Sequence, residues 1–330
     1  MKYPGLFRRL YNQSEFQGNL KGKNYFEGWY LKHVSSDLSH SIAFIPGISL
    51  SKDQHSFIQV LNGLTGESFY LRYDLKKFYF EPGKFAIRIG KSFFSDHFSE
   101  IEILSETINV SGKIEYVDIY PYPRTLINPG IMGWYSFVPF MECKHAVVST
   151  THRLKGTLEI NGLTIDFGNG KGYIEKDWGT SFPESWIWIQ CNHFNNDDAS
   201  FMFSLAKIPW RGKYFIGFLG FLQNGDHFYT FATHNRSKIT NLEQTGNKLE
   251  IGILNKDFTI SAAISVNQFI ELKAPRLGIM DRYMKESVDS DLEIIMKDRK
   301  ENMIHELKGR RAGLEITGDI DTLKEVIRTG

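Results

Sequence analysis

Short runs in which apolar and polar residues alternate recur along almost the whole chain, and residues that favour tight turns separate them. The first of these runs are SIAFIPGISL (41–50), SFIQVLNG (56–63) and SFYLRYDLKKFYFEPG (68–83). Dipeptides such as Asn-Gly and Gly-Asp stand between runs, where a hairpin needs residues with positive φ. Since strand side chains point alternately to the two faces of a sheet, the pattern predicts antiparallel strands with about 8–12 residues between turns.

Helix-forming sequence is scarce. Two segments predict helix, namely residues 274–291 and the C-terminal residues 319–330, the latter with Asp319 or Asp321 as N-cap. Phe, Tyr and Trp (26, 15 and 6 residues) make up 14% of the chain, and aromatic enrichment favours strands. The residues therefore predict an all-β protein, but alternation alone does not separate a β-sandwich from a closed barrel.

The chain length of 330 residues predicts two β-domains. The Pro- and Gly-rich segment 121–140 is typical of a crossing between two halves or of a lid over a pocket. We place the boundary just after it, which gives an N-terminal β-domain over residues 1–155 and a C-terminal β-domain over residues 156–330.

Charge and cysteine content exclude several classes of partner and compartment. A net charge of +1 gives no reason to expect nucleic acid. Cys143 and Cys191 are too few for a disulfide scaffold and predict a reduced, cytoplasmic protein.

Pro4, Arg8 and Arg9 interrupt any apolar N-terminal stretch, which argues against a signal peptide. The longest apolar run is too short to span a bilayer, so we expect no transmembrane segment, and peripheral contact with a membrane stays open.

The segment GYIEKDWGTSFPESWIWIQCNHF (172–194) places two carboxylates beside three tryptophans. On a strand, Tyr173, Glu175 and Asp177 share one face, opposite Lys176. In an apolar site, repulsion between the two acids would keep one of them protonated near neutral pH. An acid of this kind beside indole rings could protonate an alkene or a glycosidic oxygen, and the rings would stabilise a cation. A second strand face in this segment carries Trp186, Trp188, Gln190 and Asn192.

A purely structural interpretation of the same residues also remains open. In it, Glu175 pairs with Lys176 or an arginine such as Arg310 or Arg311, and the tryptophans belong to an ordinary core. Two Cys-x-His pairs, Cys143/His145 and Cys191/His193, could together supply four zinc ligands. Cysteine in strand-like sequence is more often a small buried apolar residue, so we expect no metal.

Three stretches together resemble the tocopherol cyclase family: YFEGWYLK (25–32), GWYSFVPFMECKHAVVS (133–149) and the segment 172–194. Residues 274–287 and 309–316 fit the C-terminal half of that family. The resemblance implies an all-β fold of two lipocalin-like antiparallel β-barrel domains with very little helix, related to carotenoid hydratase-like and AttH-like proteins. It also implies a lipophilic small-molecule substrate and no cofactor.

The activity implied by the resemblance is that of an intramolecular lyase, an isomerase. A prenyl double bond of a prenylated phenol or hydroquinone is protonated, and the phenol oxygen then closes a chroman-type ring. Asp177 and Glu175 are the expected acids, and Glu27 of the first motif completes the expected catalytic set. The residues expected to line the substrate are Trp29, Tyr173, Trp178, Trp186, Trp188, Gln190 and Asn192.

Three other functions fit the same residues. A hydratase would form the same cation and admit water to it. A lipocalin-like carrier would bind a hydrophobic molecule without turnover. A glycoside hydrolase requires two carboxylates that flank the scissile bond.

Overall fold

The computed structural model describes residues 6–139 and 141–329. Pro4, Phe140 and Gly330, which belong to segments interpreted above, lie outside these ranges. The fold is all-β, with two large antiparallel sheets of lipocalin-like type and very little helix, as predicted. One of the sheets is nearly barrel-shaped.

The first compact unit comprises Met1–Phe182 and Leu272–Tyr283. Its sheet has the strand order β4-β3-β2-β1-β12-β10-β9-β8-β7-β6-β5, with β11 paired to β10. The strands are β1 (Tyr25–Val34), β2 (Ser41–Leu50), β3 (His55–Asn62), β4 (Glu67–Asp74), β5 (Phe78–Phe80), β6 (Ala86–Ile89), β7 (Ser92–Ser95), β8 (Phe98–Leu104), β9 (Asn109–Pro121), β10 (Cys143–Ile160), β11 (Leu163–Asp166) and β12 (Lys171–Gly179). A short helix, α1 (Leu6–Tyr11), precedes them.

The second unit comprises Pro183–Glu271 and Met284–Gly330. The strands of the second sheet are β13 (Trp186–Cys191), β14 (Ala199–Trp210), β15 (Lys213–Asn224), β16 (His227–Ala232), β17 (Lys238–Thr245), β18 (Lys248–Leu254), β19 (Phe258–Val266), β20 (Ile270–Arg276), β21 (Ile279–Asp298) and β22 (Met303–Thr317). Most of β20 and the start of β21 fall within Leu272–Tyr283 and so belong to the first unit. The strand order is β16-β15-β14-β13-β22-β21-β19-β18-β17, with β20 paired to β21. Two short helices follow, α2 (Ile320–Leu323) and α3 (Glu325–Thr329).

Each sheet buries one of its faces in a core of its own. Leu31 and Ile174 belong to the core of the first unit, and Ile187 and Ile189 to that of the second. Because side chains alternate along a strand, the neighbouring residues of β12 and β13 point away from these cores. The acids of β12 and the indoles of β13 are among those neighbours.

The helix predicted over residues 274–291 is wrong. This segment forms the end of β20, a turn at Gly278 with φ +75°, and the first half of β21. Its buried apolar residues include Met280, Met284 and Val288. A spacing of four residues fits one face of a helix and also one face of a strand, so these three positions do not distinguish a helix from a strand.

The helix predicted at the C-terminus is confirmed, because Asp319 caps α2 by accepting a hydrogen bond from the Asp321 N–H. The boundary proposed at 155/156 falls inside β10, which pairs with β9 and β12 of the first sheet. Segment 121–140 joins β9 to β10, two neighbours in one sheet, so it is not a crossing between the halves. It contains a short 3-10 helix, Gly133–Phe137.

In the part of the chain that the structure describes, no helix combines the length and the apolar character needed to cross a bilayer.

Candidate active site

Each of the three stretches that carry the family resemblance contributes a strand to the first sheet, and these strands, β1, β10 and β12, are neighbours. Strand β12 runs between β1 and β10 and pairs with both in antiparallel fashion. His145 of β10 is the cross-strand partner of Asp177, and Tyr30 of β1 is that of Glu175. Directly opposed residues point to the same face, so this register brings His145 beside the two acids.

Tyr173, Glu175 and Asp177 share one face of β12, as the alternation predicts. His145 lies between the two carboxylates, with Nδ1 2.9 Å from Asp177 Oδ1 and Nε2 3.6 Å from Glu175 Oε2. The Tyr173 hydroxyl donates to Glu175 Oε2 at 2.7 Å. Glu175 is only 5% exposed, whereas 23% of the Asp177 side chain remains accessible. We refer to His145, Glu175 and Asp177 as the acid cluster.

The electrostatics of the acid cluster place a proton on the imidazole. Burial lowers the pKa of His145, but the carboxylates of Asp177 and Glu175 outweigh burial and raise this pKa to about 9. His145 is therefore an imidazolium at neutral pH, and it offsets the repulsion between the acids. The sequence predicts that a carboxyl group holds the shared proton, whereas the raised pKa of His145 favours the imidazole as its holder.

His145 is the functional residue that the sequence interpretation did not assign to this chemistry. It was considered only as a zinc ligand together with Cys143, whose Sγ lies 3.8 Å from Asp177 Oδ1. The ligand atoms of the acid cluster all lie within 4.8 Å of one another, a spacing at which a cation could bind. A metal-bound histidine must be neutral, so a cation that bound here would displace the proton of His145.

Glu27 lies on the other face of the sheet from the acid cluster, as the cross-strand partner of Trp178. Its Oε1 is 2.5 Å from Lys176 Nζ, and neither side chain is exposed. Glu27 also accepts hydrogen bonds from the Tyr25 hydroxyl and from the backbone of Gln17 and Gly18. The pairing of Glu175 with Lys176, offered as a structural interpretation, is therefore wrong, because Lys176 pairs with Glu27 on the opposite face.

The ammonium group of Lys176 contacts two backbone carbonyls and two indole rings in addition to Glu27. This group donates to the carbonyls of Gln13 and Glu15 and lies 4.8 Å and 4.7 Å from the ring centroids of Trp29 and Trp178. Burial lowers the pKa of Lys176 to about 8, although Glu27 opposes this. The contacts fasten the segment from Gln13 to Gly18 to the sheet.

The expected substrate-binding residues are distributed over three places. Tyr173 belongs with the acid cluster. Trp29 and Trp178 lie on the Lys176 face, where Trp29 stacks on Phe85 with ring planes 2° apart. Trp186, Trp188, Gln190 and Asn192 belong to the second unit and are buried. There, Trp186 Nε1 donates to Glu315 Oε2 at 2.6 Å, and a Cβ at Gly313 would come within 2.6 Å of the Trp188 ring.

A separate buried polar group lies in the first unit. His33 Nε2 is 2.9 Å from the Tyr116 hydroxyl, and His152 Nδ1 is 2.9 Å from Ser149 Oγ. Burial lowers the pKa of His33 to about 3 and also lowers that of His152. Both imidazoles are therefore neutral at physiological pH. Gly172 leaves room for His152, because a Cβ at this position would lie 2.2 Å from Nε2.

Together, the fold and the site define a lipocalin-like β-protein with a partly buried cluster of two carboxylates and an imidazolium. A family model described as Tocopherol cyclase-like matches residues 105–318, well over half of the chain. The chain belongs to the tocopherol cyclase-like family. The match includes every member of the acid cluster, and Glu27 lies outside it.

Two curated plant proteins are similar over a short segment. The chloroplastic tocopherol cyclase of Zea mays is 39% identical over 62 residues, and the probable chloroplastic tocopherol cyclase of Oryza sativa subsp. japonica is 36% identical over 63 residues. Each match covers 19% of this chain and only 13% of the plant protein.

Solved structures share the fold along most of the chain. A putative AttH from Nitrosomonas europaea has a TM-score of 0.52 at 12% identity and covers 89% of this chain and 92% of its own. CghA has a TM-score of 0.52 at 8% identity, with coverages of 89% and 88%. Kievitone hydratase from Nectria haematococca has a TM-score of 0.50 at 11% identity, with 93% of both chains covered. At such low identity the likeness establishes the fold alone.

Proposed function

We propose that this protein is a tocopherol cyclase-like enzyme that closes a chroman-type ring in a prenylated phenol or hydroquinone by protonating a prenyl double bond. The observation that carries the proposal is the acid cluster, because a partly buried, proton-bearing group of two carboxylates and a histidine lies within the segment that matches the family. Family membership supports a lipophilic substrate.

In this mechanism the His145 imidazolium is the source of the proton, Asp177 receives it across the 2.9 Å contact and passes it to the alkene, and Glu175 supports the cluster. Asp177 has the more accessible carboxyl group, whereas Glu175 is buried and fixed by the Tyr173 hydroxyl. The proton adds to the less substituted alkene carbon and leaves a tertiary cation. The phenol oxygen attacks the cation, and the phenolic proton passes to a carboxylate of the cluster. Substrate and product therefore have the same composition, and the enzyme regains its proton.

The imidazolium supplies the proton. His145 stays charged up to a pH of about 9, so the cluster holds a proton throughout the physiological range. A carboxylic acid is ordinarily a stronger proton donor than an imidazolium, since their usual pKa values are about 4 and about 6.5. Passing the proton through a carboxyl group therefore suits the protonation of an alkene, which is a weak base.

A hydratase is the second candidate, and the partial exposure of Asp177 favours it. The cation forms close to the group that protonates the alkene, and 23% of the Asp177 side chain is accessible. Water that reached the cation would add to it and give an alcohol. No comparable observation favours a carrier. Trp186, Trp188, Gln190 and Asn192 remain proposed substrate contacts of the second unit.

The test is mass spectrometry of prenylhydroquinones incubated with the purified protein. A product of unchanged mass with a new ring supports the cyclase, and the gain of one water supports the hydratase. We expect Asp177→Asn and Glu175→Gln to lower kcat by about 10²–10⁴-fold, the usual contribution of a positioned acid or base. The control is Asp226→Asn, which changes an exposed acid in the second unit. Full turnover in both cluster variants would overturn the assignment.

We also propose that the protein contacts a lipid surface through a turn of the first unit, Thr125–Asn128. Thr125 and Asn128 bond to each other through their backbones, so Leu126 and Ile127 occupy the corners, where they are 85% and 73% exposed. Turn corners usually carry small or polar residues, and the exposed Arg124 adds a positive charge beside them. Cys143 and Cys191 are present as thiols, which supports a proposed reducing, cytoplasmic location.

A further inference from the structure

A cavity of about 340 Å³ lies in the first unit, on the face of β10 and β12 opposite to the acid cluster. Lys144 and Trp178 are cross-strand partners and both line it, one position away from the His145–Asp177 pair. Much of the remaining wall is apolar and includes Met132, Phe137 and Val138. The volume is at the small end of the range for small-molecule sites, roughly 300–1,000 Å³.

Lys144 is the charged group of this cavity that lacks a counter-ion. Its Nζ donates to the Ser136 carbonyl at 3.3 Å, and it forms no ion pair with a residue in the ranges 6–139 and 141–329. Burial lowers the pKa of Lys144, and no carboxylate opposes this effect. By contrast, Lys176 on the same face has the Glu27 carboxylate as well as two carbonyls.

A half-buried ammonium group beside apolar walls is complementary to an anion that carries an apolar body. The anion would supply the missing counter-charge, and the apolar body would cover Trp178 and its neighbours. The Arg9 guanidinium also lines the cavity and adds positive charge. We propose that this cavity binds a small amphiphilic anion, such as an aromatic or isoprenoid carboxylate. The proposal does not depend on the function of the acid cluster.

The test compares two fluorescent probes that differ by one anionic group, anilinonaphthalene sulfonate and the uncharged phenylnaphthylamine. We expect the wild-type protein to bind one equivalent of the sulfonate probe at least about tenfold more tightly than the neutral one. This difference corresponds to about 1.4 kcal/mol. Octanoate should displace the sulfonate probe, and octanol should not. This comparison needs no variant, and equal affinity for the two probes would overturn the proposal.

Variants then test whether Lys144 contacts the anionic group of the probe. Lys144→Met should weaken binding of the sulfonate probe about tenfold and leave the neutral probe within about twofold, whereas Lys144→Arg should retain both affinities. Lys155→Met is the matched control, because Lys155 is an exposed lysine of the same strand. Unchanged sulfonate affinity in a folded Lys144→Met protein would contradict the assignment. Turnover of prenylhydroquinones is measured separately, so either proposal can fail without the other.

Discussion

Glu27 and Lys176 form an ion pair in which neither side chain is exposed to solvent. A buried charge that loses its partner is costly, because the low-dielectric interior cannot solvate it. The pair also holds the segment from Gln13 to Gly18 against the sheet, so its role in the structure is architectural.

We expect Glu27→Gln to lower the free energy of unfolding by about 3–5 kcal/mol, since it leaves Lys176 buried and unpaired. The matched control is Glu81→Gln, which breaks a 2.7 Å ion pair with Lys84 whose side chains are both more than half exposed. That change should cost less than about 1 kcal/mol. Denaturant unfolding measures both values. Similar losses for the two variants would show that the buried pair contributes no more than a surface pair.

The sequence could predict which residues of β12 share a face, but it could not predict which side chains of other strands contact each face. Alternation alone places Tyr173, Glu175 and Asp177 together. Their partner His145 comes from another strand, and the pairing register that selects it depends on bulges in β10 after Val147 and Ser149. Glu27 could not be assigned either, because its partner Lys176 is 149 positions away in the chain and lies on the opposite face from the acids.

At the scale of elements, β12 has two faces with different chemistry. One face carries the acid cluster, and the other carries Lys176 and the cavity wall at Trp178. Strand positions were predictable because alternation and turn dipeptides are local signals. Segment 274–291 predicts a helix because a spacing of four residues fits one face of a helix as well as one face of a strand, and pairing with β20 and β22 decides the outcome.

The turn Thr125–Asn128 gives a prediction at this scale. Replacing Leu126 and Ile127 by aspartate should weaken binding to vesicles of phosphatidylcholine and phosphatidylglycerol at least about tenfold, because each apolar side chain contributes roughly 1.5–3 kcal/mol when it leaves water. Co-sedimentation measures the bound fraction. Leu104→Asp is the control, since Leu104 is 88% exposed at the end of β8. Equal effects of the control and the double variant would contradict contact through the turn.

For the whole molecule, the neutral histidines His33 and His152 predict a loss of stability in acid. In the unfolded chain a histidine has a pKa of about 6.5, whereas the folded protein lowers that of His33 to about 3 and also lowers that of His152. Below pH 6.5 the unfolded state therefore binds protons that the folded state excludes. The stability that these groups contribute is complete above pH 6.5 and is lost as the pH falls towards 3.

His33 should account for about 2 kcal/mol of stability lost between pH 6.5 and pH 5, and His152 should add to the loss in the same direction. We expect the loss in His33→Gln to be smaller than in the wild type by about that amount. His97→Gln, which changes an exposed histidine, should show the wild-type loss. Denaturant unfolding at the two pH values makes the comparison, and identical pH dependence in all three proteins would rule out this origin.

The pairing of β1 with β12 also determines how long one edge of β1 stays unpaired during translation. Val34, at the end of β1, pairs with Lys171, so one edge of β1 has no partner until the ribosome has added the intervening residues. At about 5–20 residues per second this takes roughly 7–30 seconds. Throughout that interval β1 can pair only with β2, and its other edge is open to strands of neighbouring nascent chains.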